Sequence, residues 1–152
     1  MDPFDVLKLE NQLCFPLYAC ARETIRQYKP FLDAIDLTYT QYIAMMVLWE
    51  EKCVTVKGLG ERLYLDSGTL TPLLKKLEQK GLVTRARDAG DERSLKVSLT
   101  EAGAALREKA LPIPGQMARC SRLAPEEAAA LYRILNKMLG KTVELPRETA
   151  HN

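Results

Sequence analysis

The chain has 152 residues, 47% of them hydrophobic, and a formal net charge of +2. That length can bury a core without disulfide or metal staples, and ordinary Gly and Pro usage excludes collagen-like and low-complexity classes. The longest uncharged stretch, Leu37 to Trp49, spans 13 residues and includes Thr, Tyr and Gln, too short and too polar to cross a bilayer. The opening Met1-Asp2-Pro3-Phe4-Asp5 is acidic, unlike the positive start of a secretory signal, so a cytoplasmic location is expected.

Taken in chain order, apolar residues recur with loose helical spacing from Phe4 to Gln27, interrupted by Pro16. A proline inside a helix costs about 3 kcal/mol unless it lies in the first turn. The pattern therefore predicts a short helix ending near Leu13 and a second starting around Cys14 to Pro16. Tyr28-Lys29-Pro30 is expected to break that second helix, with Pro30-Phe31-Leu32 opening a connecting turn or helix. Thr38 or Thr40 is placed to cap a helix over the apolar run Tyr42 to Trp49.

Val56, Leu59 and Leu63 predict a short amphipathic helix. Tyr64-Leu65-Asp66 makes a tight connection to a longer helix, capped by Asp66 or Ser67, whose inward face is Leu70, Leu73, Leu74 and Leu77. Gly81 follows where a left-handed residue is favoured. Two helices joined so closely, with small polar residues opening the second, form a helix-turn-helix pattern. Leu82 to Arg87 and Ser94 to Leu99 then alternate apolar and polar as half-buried strands do, around a polar loop from Asp88 to Arg93. The fold class predicted is mainly α with a small β-hairpin, a winged helix-turn-helix over about 54–99.

Thr100 to Gly103 starts a further helix running to about Leu111, and Pro112-Ile113-Pro114-Gly115 interrupts it before it resumes through Met117 and Cys120. Pro125 suits the first turn of a last helix over 125–139, with Ala128, Leu131, Leu135, Met138 and Leu139 on one side and Gly140 after it. Residues 141–152 read as a polar tail, and the whole chain as one domain. The terminal helices, 4–50 and 100–140, hold more apolar surface than the winged segment can cover, which predicts packing against a second copy.

Charge agrees with a polyanionic partner. Residues 52–96 carry 10 basic and 6 acidic side chains, against 4 and 8 in residues 1–51. Ser67, Thr69 and Thr71 sit at the start of the second helix, where they can reach base edges or phosphates. Lys75 and Lys76, one turn on, suit phosphates, and Arg85 and Arg87 add charge on the hairpin. Arg93 at its tip suits a narrow A·T-rich minor groove.

Cysteines stand at 14, 20, 53 and 120 with no C-x-x-C pair, and the one histidine is His151. Neither a metal site nor a cofactor is expected. Each cysteine is either a small buried hydrophobe or a reactive thiol, with burial expected for any one of them.

The helix-turn-helix, the hairpin, Asp91-Glu92-Arg93 and Leu99-Thr100-Glu101-Ala102-Gly103 together resemble the MarR family of bacterial transcriptional regulators. Leu9-Glu10-Asn11-Gln12-Leu13-Cys14-Phe15-Pro16-Leu17-Tyr18-Ala19 is similar to the segment around the sensing cysteine of its organic-hydroperoxide-resistance group, OhrR. Leu65 to Leu74 is similar to that group's recognition helix. The resemblance spans about residues 5–140 and implies a homodimeric repressor, bound to double-stranded operator DNA and released by organic hydroperoxide.

Carried over, the resemblance makes Cys14 the peroxide-reactive thiol and matches Tyr28 and Tyr39 to tyrosines that hydrogen-bond it, from the partner subunit. Arg93 matches the wing arginine, with Asp91 holding it. Cys120 stands where the second cysteine of a two-cysteine type is expected, the alternative being a small cellular thiol. Cys20 and Cys53 match no role and are expected to pack. A thiolate at a helix start, near two tyrosine hydroxyls and apolar Phe15 and Leu17, would favour organic peroxides. Two other readings remain open: a MarR-type repressor released by a phenolic or drug-like ligand, and a thiol-dependent peroxidase using Cys14 and Cys120. Against the second, no thioredoxin-like βαβ pattern is present.

Overall fold

The computed structural model describes residues 2–141. Most of the expected tail, 142–152 with His151, lies outside them. Two 3-10 turns, Pro3–Leu7 and Leu9–Asn11, open the chain in place of the expected α-helix. Side chains hold them: Asn11 Nδ2 donates to the Asp5 carbonyl at 2.7 Å, and Gln12 Nε2 to the Val6 carbonyl at 2.6 Å. Helices α1 (Cys14–Asp33), α2 (Tyr39–Glu51), α3 (Val56–Leu63), α4 (Ser67–Gln79), α5 (Glu101–Ala110), α6 (Ile113–Cys120) and α7 (Pro125–Met138) alternate with strands β1 (Cys53–Thr55), β2 (Val83–Asp88) and β3 (Asp91–Leu99).

Helix α1 does not break at Tyr28 to Pro30 as the proline suggested; it runs through Pro30 to Asp33. Pro30 withholds one backbone hydrogen bond. Beyond it, Leu32 is buried in the core and Phe31 packs against that core, so tertiary burial outweighs the local cost. Helix α2 starts with a capping box. Gln41 N donates to Thr38 Oγ1 at 3.3 Å, and Thr38 N donates to Gln41 Oε1 at 3.1 Å. Helix α2 is apolar around most of its circumference, which fits its central place, with Tyr42, Ala44, Met45, Val47 and Leu48 all buried.

Helix α4 is capped by the Asp66 carboxylate, which accepts from Thr69 N at 2.7 Å, and its Leu70, Leu73, Leu74 and Leu77 face is fully buried. Gly81 ends it at φ 74°. The sheet has order β1-β3-β2, all antiparallel. Strand β1, which the sequence pattern missed, pairs Cys53 with Ser98 and Val54 with Val97. The hairpin strands are longer than expected: Asp88 pairs with Asp91 beyond a bulge at Arg87, so the loop shrinks to Ala89 and Gly90. The expected polar loop from Asp88 to Arg93 is therefore mostly strand.

Helix α5 is capped by Thr100, whose Oγ1 accepts from Gly103 N at 3.0 Å and donates to the Gly81 carbonyl at 2.6 Å. Trp49 Nε1 donates to the Gly103 carbonyl at 2.8 Å, fastening α5 to α2. Helix α6 begins at Ile113, so Pro114 falls in its first turn, where it is tolerated. In α7, Pro125 is the first residue, and Glu127 reaches back to accept from Ala124 N at 2.8 Å. The chain divides into two compact units, Met1–Met117 and Ala118–Asn152. No helix among the described residues is long and apolar enough to cross a membrane.

Candidate nucleic-acid interface and thiol sites

The polar face of α4 is the opposite of its leucine face. Ser67, Thr69, Thr71, Lys75 and Lys76 are all exposed. Asp66 fixes the first turn, and its carboxyl is held below the usual carboxylate range, first by the Thr69 backbone N–H. Thr71 Oγ1 donates to the Ser67 carbonyl at 2.8 Å, and the residue is exposed. Ser67, Lys57, Tyr64, Arg93 and Leu95 line one open cleft of about 880 Å³ between the two helices and the hairpin. Lys57, on α3, was not among the expected contacts; its only sequence signal is a cation on the outward side of a short amphipathic helix.

At the hairpin tip, the Asp88 carboxylate accepts from Gly90 N at 3.1 Å and pairs with Lys96 at 3.1 Å. Asp91 Oδ1 accepts from Arg93 N at 3.0 Å, so Asp91 holds the backbone of Arg93 while its side chain is exposed. Arg87 is exposed as well. Arg85 departs from expectation. Its backbone N donates to Glu78 Oε2 at 3.0 Å and its guanidinium to Glu78 Oε1 at 3.1 Å, with 22% of the side chain exposed. Arg85 joins the hairpin to the end of α4, its guanidinium engaged by Glu78.

Cys14 is the first residue of α1 and is exposed, beside exposed Leu13, Phe15 and Leu17. The N-terminal end of a 20-residue helix supplies positive potential to that sulfur. Tyr28 and Tyr39 come together elsewhere, at the other end of α1, with ring centroids 5.0 Å apart. Tyr42, not anticipated, completes the cluster at 5.9 Å from Tyr28 and is 3% exposed. Burial raises all three phenols above their ordinary value. Cys14 and Tyr28 lie fourteen residues apart on one helix, roughly 21 Å of axial rise, so one chain cannot bring them into contact.

The expectation that cysteines are buried fails for all four: Cys14, Cys20, Cys53 and Cys120 are exposed in the single chain. Cys20 faces out from α1. Cys53 lies on the edge strand β1, where its sulfur accepts from Ser98 Oγ at 3.3 Å. Cys120 ends α6. Among the described residues, no group of three His, Cys, Asp or Glu side chains is placed to hold a metal ion.

The MarR family profile matches residues 37–95. The organic hydroperoxide resistance transcriptional regulator of Bacillus subtilis is 55% identical over 139 residues, 89% of this chain and 95% of that protein. Reduced AbfR bound to DNA superposes with a TM-score of 0.73 at 35% identity, covering 88% of this chain and 94% of that one. The disulfide form of AbfR gives a TM-score of 0.64 at 34% identity, over 88% and 93%.

Proposed function

The chain belongs to the MarR family of transcriptional regulators, and on that premise we propose that it is a repressor released from operator DNA by organic hydroperoxide. The observation that carries the proposal is the exposed Cys14 thiol in the first turn of α1, within Leu13-Cys14-Phe15-Pro16. It stands in a chain 55% identical to a regulator named for organic hydroperoxide resistance.

The chemistry runs in two steps. The Cys14 thiolate attacks the outer peroxide oxygen, the O–O bond breaks, and the alkoxide leaves and takes a proton from water. Sulfur is oxidised to sulfenic acid and the peroxide reduced to alcohol. The Cys120 thiol then attacks that sulfenic sulfur, forming a disulfide and releasing water. A small cellular thiol could take the place of Cys120 in the second step, giving a mixed disulfide. The existence of a disulfide form of AbfR supports the two-cysteine route. The apolar side chains of Leu13, Phe15 and Leu17 favour an organic substituent on the peroxide.

The tyrosine cluster supports a homodimer. Tyr28 and Tyr39 serve as donors to a Cys14 sulfur only if that sulfur belongs to a second copy, because of the length of α1 between them. On DNA, Ser67, Thr69 and Thr71 read base edges or phosphates in the major groove. Lys75, Lys76 and Arg87 meet phosphates, and Arg93 enters the minor groove, its backbone held by Asp91.

The test is stoichiometric cumene hydroperoxide followed by a non-reducing gel and peptide mass mapping. An intersubunit Cys14–Cys120 bridge gives a band near twice 17.1 kDa. Cys14→Ser should abolish the band. A Cys120→Ser variant that still leaves and regains DNA reversibly, without added thiol, assigns Cys120 to packing and ends the two-cysteine route.

A further inference from the structure

We propose that Lys80 is a positioning residue that latches the C-terminal end of recognition helix α4 to the corner between α1 and α2, so that movement of the Tyr39 corner is passed to the DNA-reading helix. The inference rests on the reading that Tyr39 belongs to the thiol sensor.

Lys80 is the residue that closes α4; its backbone N–H bonds the Lys76 carbonyl at 3.0 Å. Its side chain leaves the helix toward the corner. The ammonium donates to the Asp36 carbonyl and lies 3.3 Å from Asp36 Oδ2 and 3.4 Å from Gln41 Oε1. The Asp36 carboxylate is well exposed, so its charge contributes little. The carbonyl and the Gln41 amide matter more: Gln41 is 3% exposed, and its Oε1, which already accepts from Thr38 N, takes the ammonium as a second donor. Asp36 takes φ 54°, a left-handed conformation that lies at the turn out of α1.

Gln41 is also half of the capping box that starts α2, and Tyr39 sits inside that box between Thr38 and Gln41. The Tyr39 ring packs on Tyr28. Two hydrogen bonds therefore join the first turn carrying Tyr39 to the end of α4: Thr38 N to Gln41 Oε1, and Lys80 Nζ to the same oxygen. A displacement of the tyrosines drawn by oxidation at sulfur strains that shared acceptor. Through the Lys80 side chain, held at its tip by Asp36 and Gln41, it reorients a helix whose other end reads DNA. Lys80 lies thirteen residues beyond Ser67, and its ammonium is committed to the corner, so a phosphate is not its partner.

The test uses the full chain with Lys80→Met and Lys80→Arg. The probe is a fluorescein-labelled duplex selected from a random-sequence pool by the reduced parent. Reduced Lys80→Met should bind about tenfold more weakly, with an unchanged slope of log Kd against log salt. Lys80→Arg, which keeps a donor, should recover most of that affinity. An unchanged affinity overturns the latch, and a shallower salt slope makes Lys80 a phosphate ligand instead. The ratio of oxidised to reduced Kd should fall in Lys80→Met; a merely structural role would weaken both states alike and leave the ratio intact. If the parent itself shows no change on oxidation, the peroxide reading fails, and the reduced affinities alone decide the latch. Should Lys80→Met melt below the assay temperature, Lys80→Gln replaces it under the same criteria.

Discussion

Two carboxylates bracket the recognition helix. Asp66 caps its start and Glu78 grips Arg85 at its end, and each carboxyl is held below its ordinary range, by the Thr69 backbone N–H and by the Arg85 guanidinium respectively. Because the folded value lies below the unfolded one, their stabilisation is complete above the unfolded carboxylate range. It is lost as pH falls through the lower folded values. Thermal stability should thus be level near neutrality and fall below about pH 4. Asp66→Asn, which can still cap, should flatten part of that fall, while Asp66→Ala should lower Tm at neutral pH as well. An acid limb identical in the parent and Asp66→Asn would remove this carboxylate from the explanation. On the hairpin, Arg93→Ala should weaken operator binding by on the order of 1–3 kcal/mol at fixed salt. An unchanged affinity would take the hairpin tip out of the interface. These residues differ in how far sequence revealed them. The Asp66 cap is a local pattern, readable from three neighbours, whereas the capture of Arg85 by Glu78 depends on how β2 returns along α4. A charge count sees Arg85 only as a free cation, and cysteine statistics likewise expect burial for four thiols that the single chain leaves exposed.

At the scale of elements, the legible parts were those with a full period. The leucines at 70, 73, 74 and 77 marked α4, and alternation marked both hairpin strands. Strand β1 escaped because three residues hold no period, and the strand it pairs with, β3, lies more than forty residues on. Pro30 misled because a helix penalty is local while the burial of Leu32 that offsets it is not. The junction of α4, β2 and α5 depends on a close approach at Gly103, where a Cβ would lie 2.1 Å from the Leu82 carbonyl oxygen. Gly103→Ala should therefore destabilise the fold by about 1–3 kcal/mol, the usual cost of overpacking, read as a shift of the urea midpoint at constant m. A neutral substitution would mean that α5 can slide away from β2 freely.

For the molecule as a whole, large apolar side chains are exposed on several elements, each a candidate for burial against a second copy. Leu13 immediately precedes α1, Phe15, Leu17 and Tyr18 lie on its early turns, and Leu131, Tyr132, Ile134 and Met138 lie on α7. Sedimentation at micromolar concentration should find a dimer, and a monomer would leave the tyrosines without a sulfur to meet. Under the proposed function, oxidation of the single Cys14 sulfur decides whether DNA is held. The direct measurement is fluorescence anisotropy of the selected duplex with the parent and with Cys14→Ser, before and after one equivalent of cumene hydroperoxide. Reduced parent and variant should bind alike, and only the parent should release the duplex on oxidation and regain it with dithiothreitol. Continued binding by fully oxidised parent, or release of Cys14→Ser by the same peroxide, would contradict the claim.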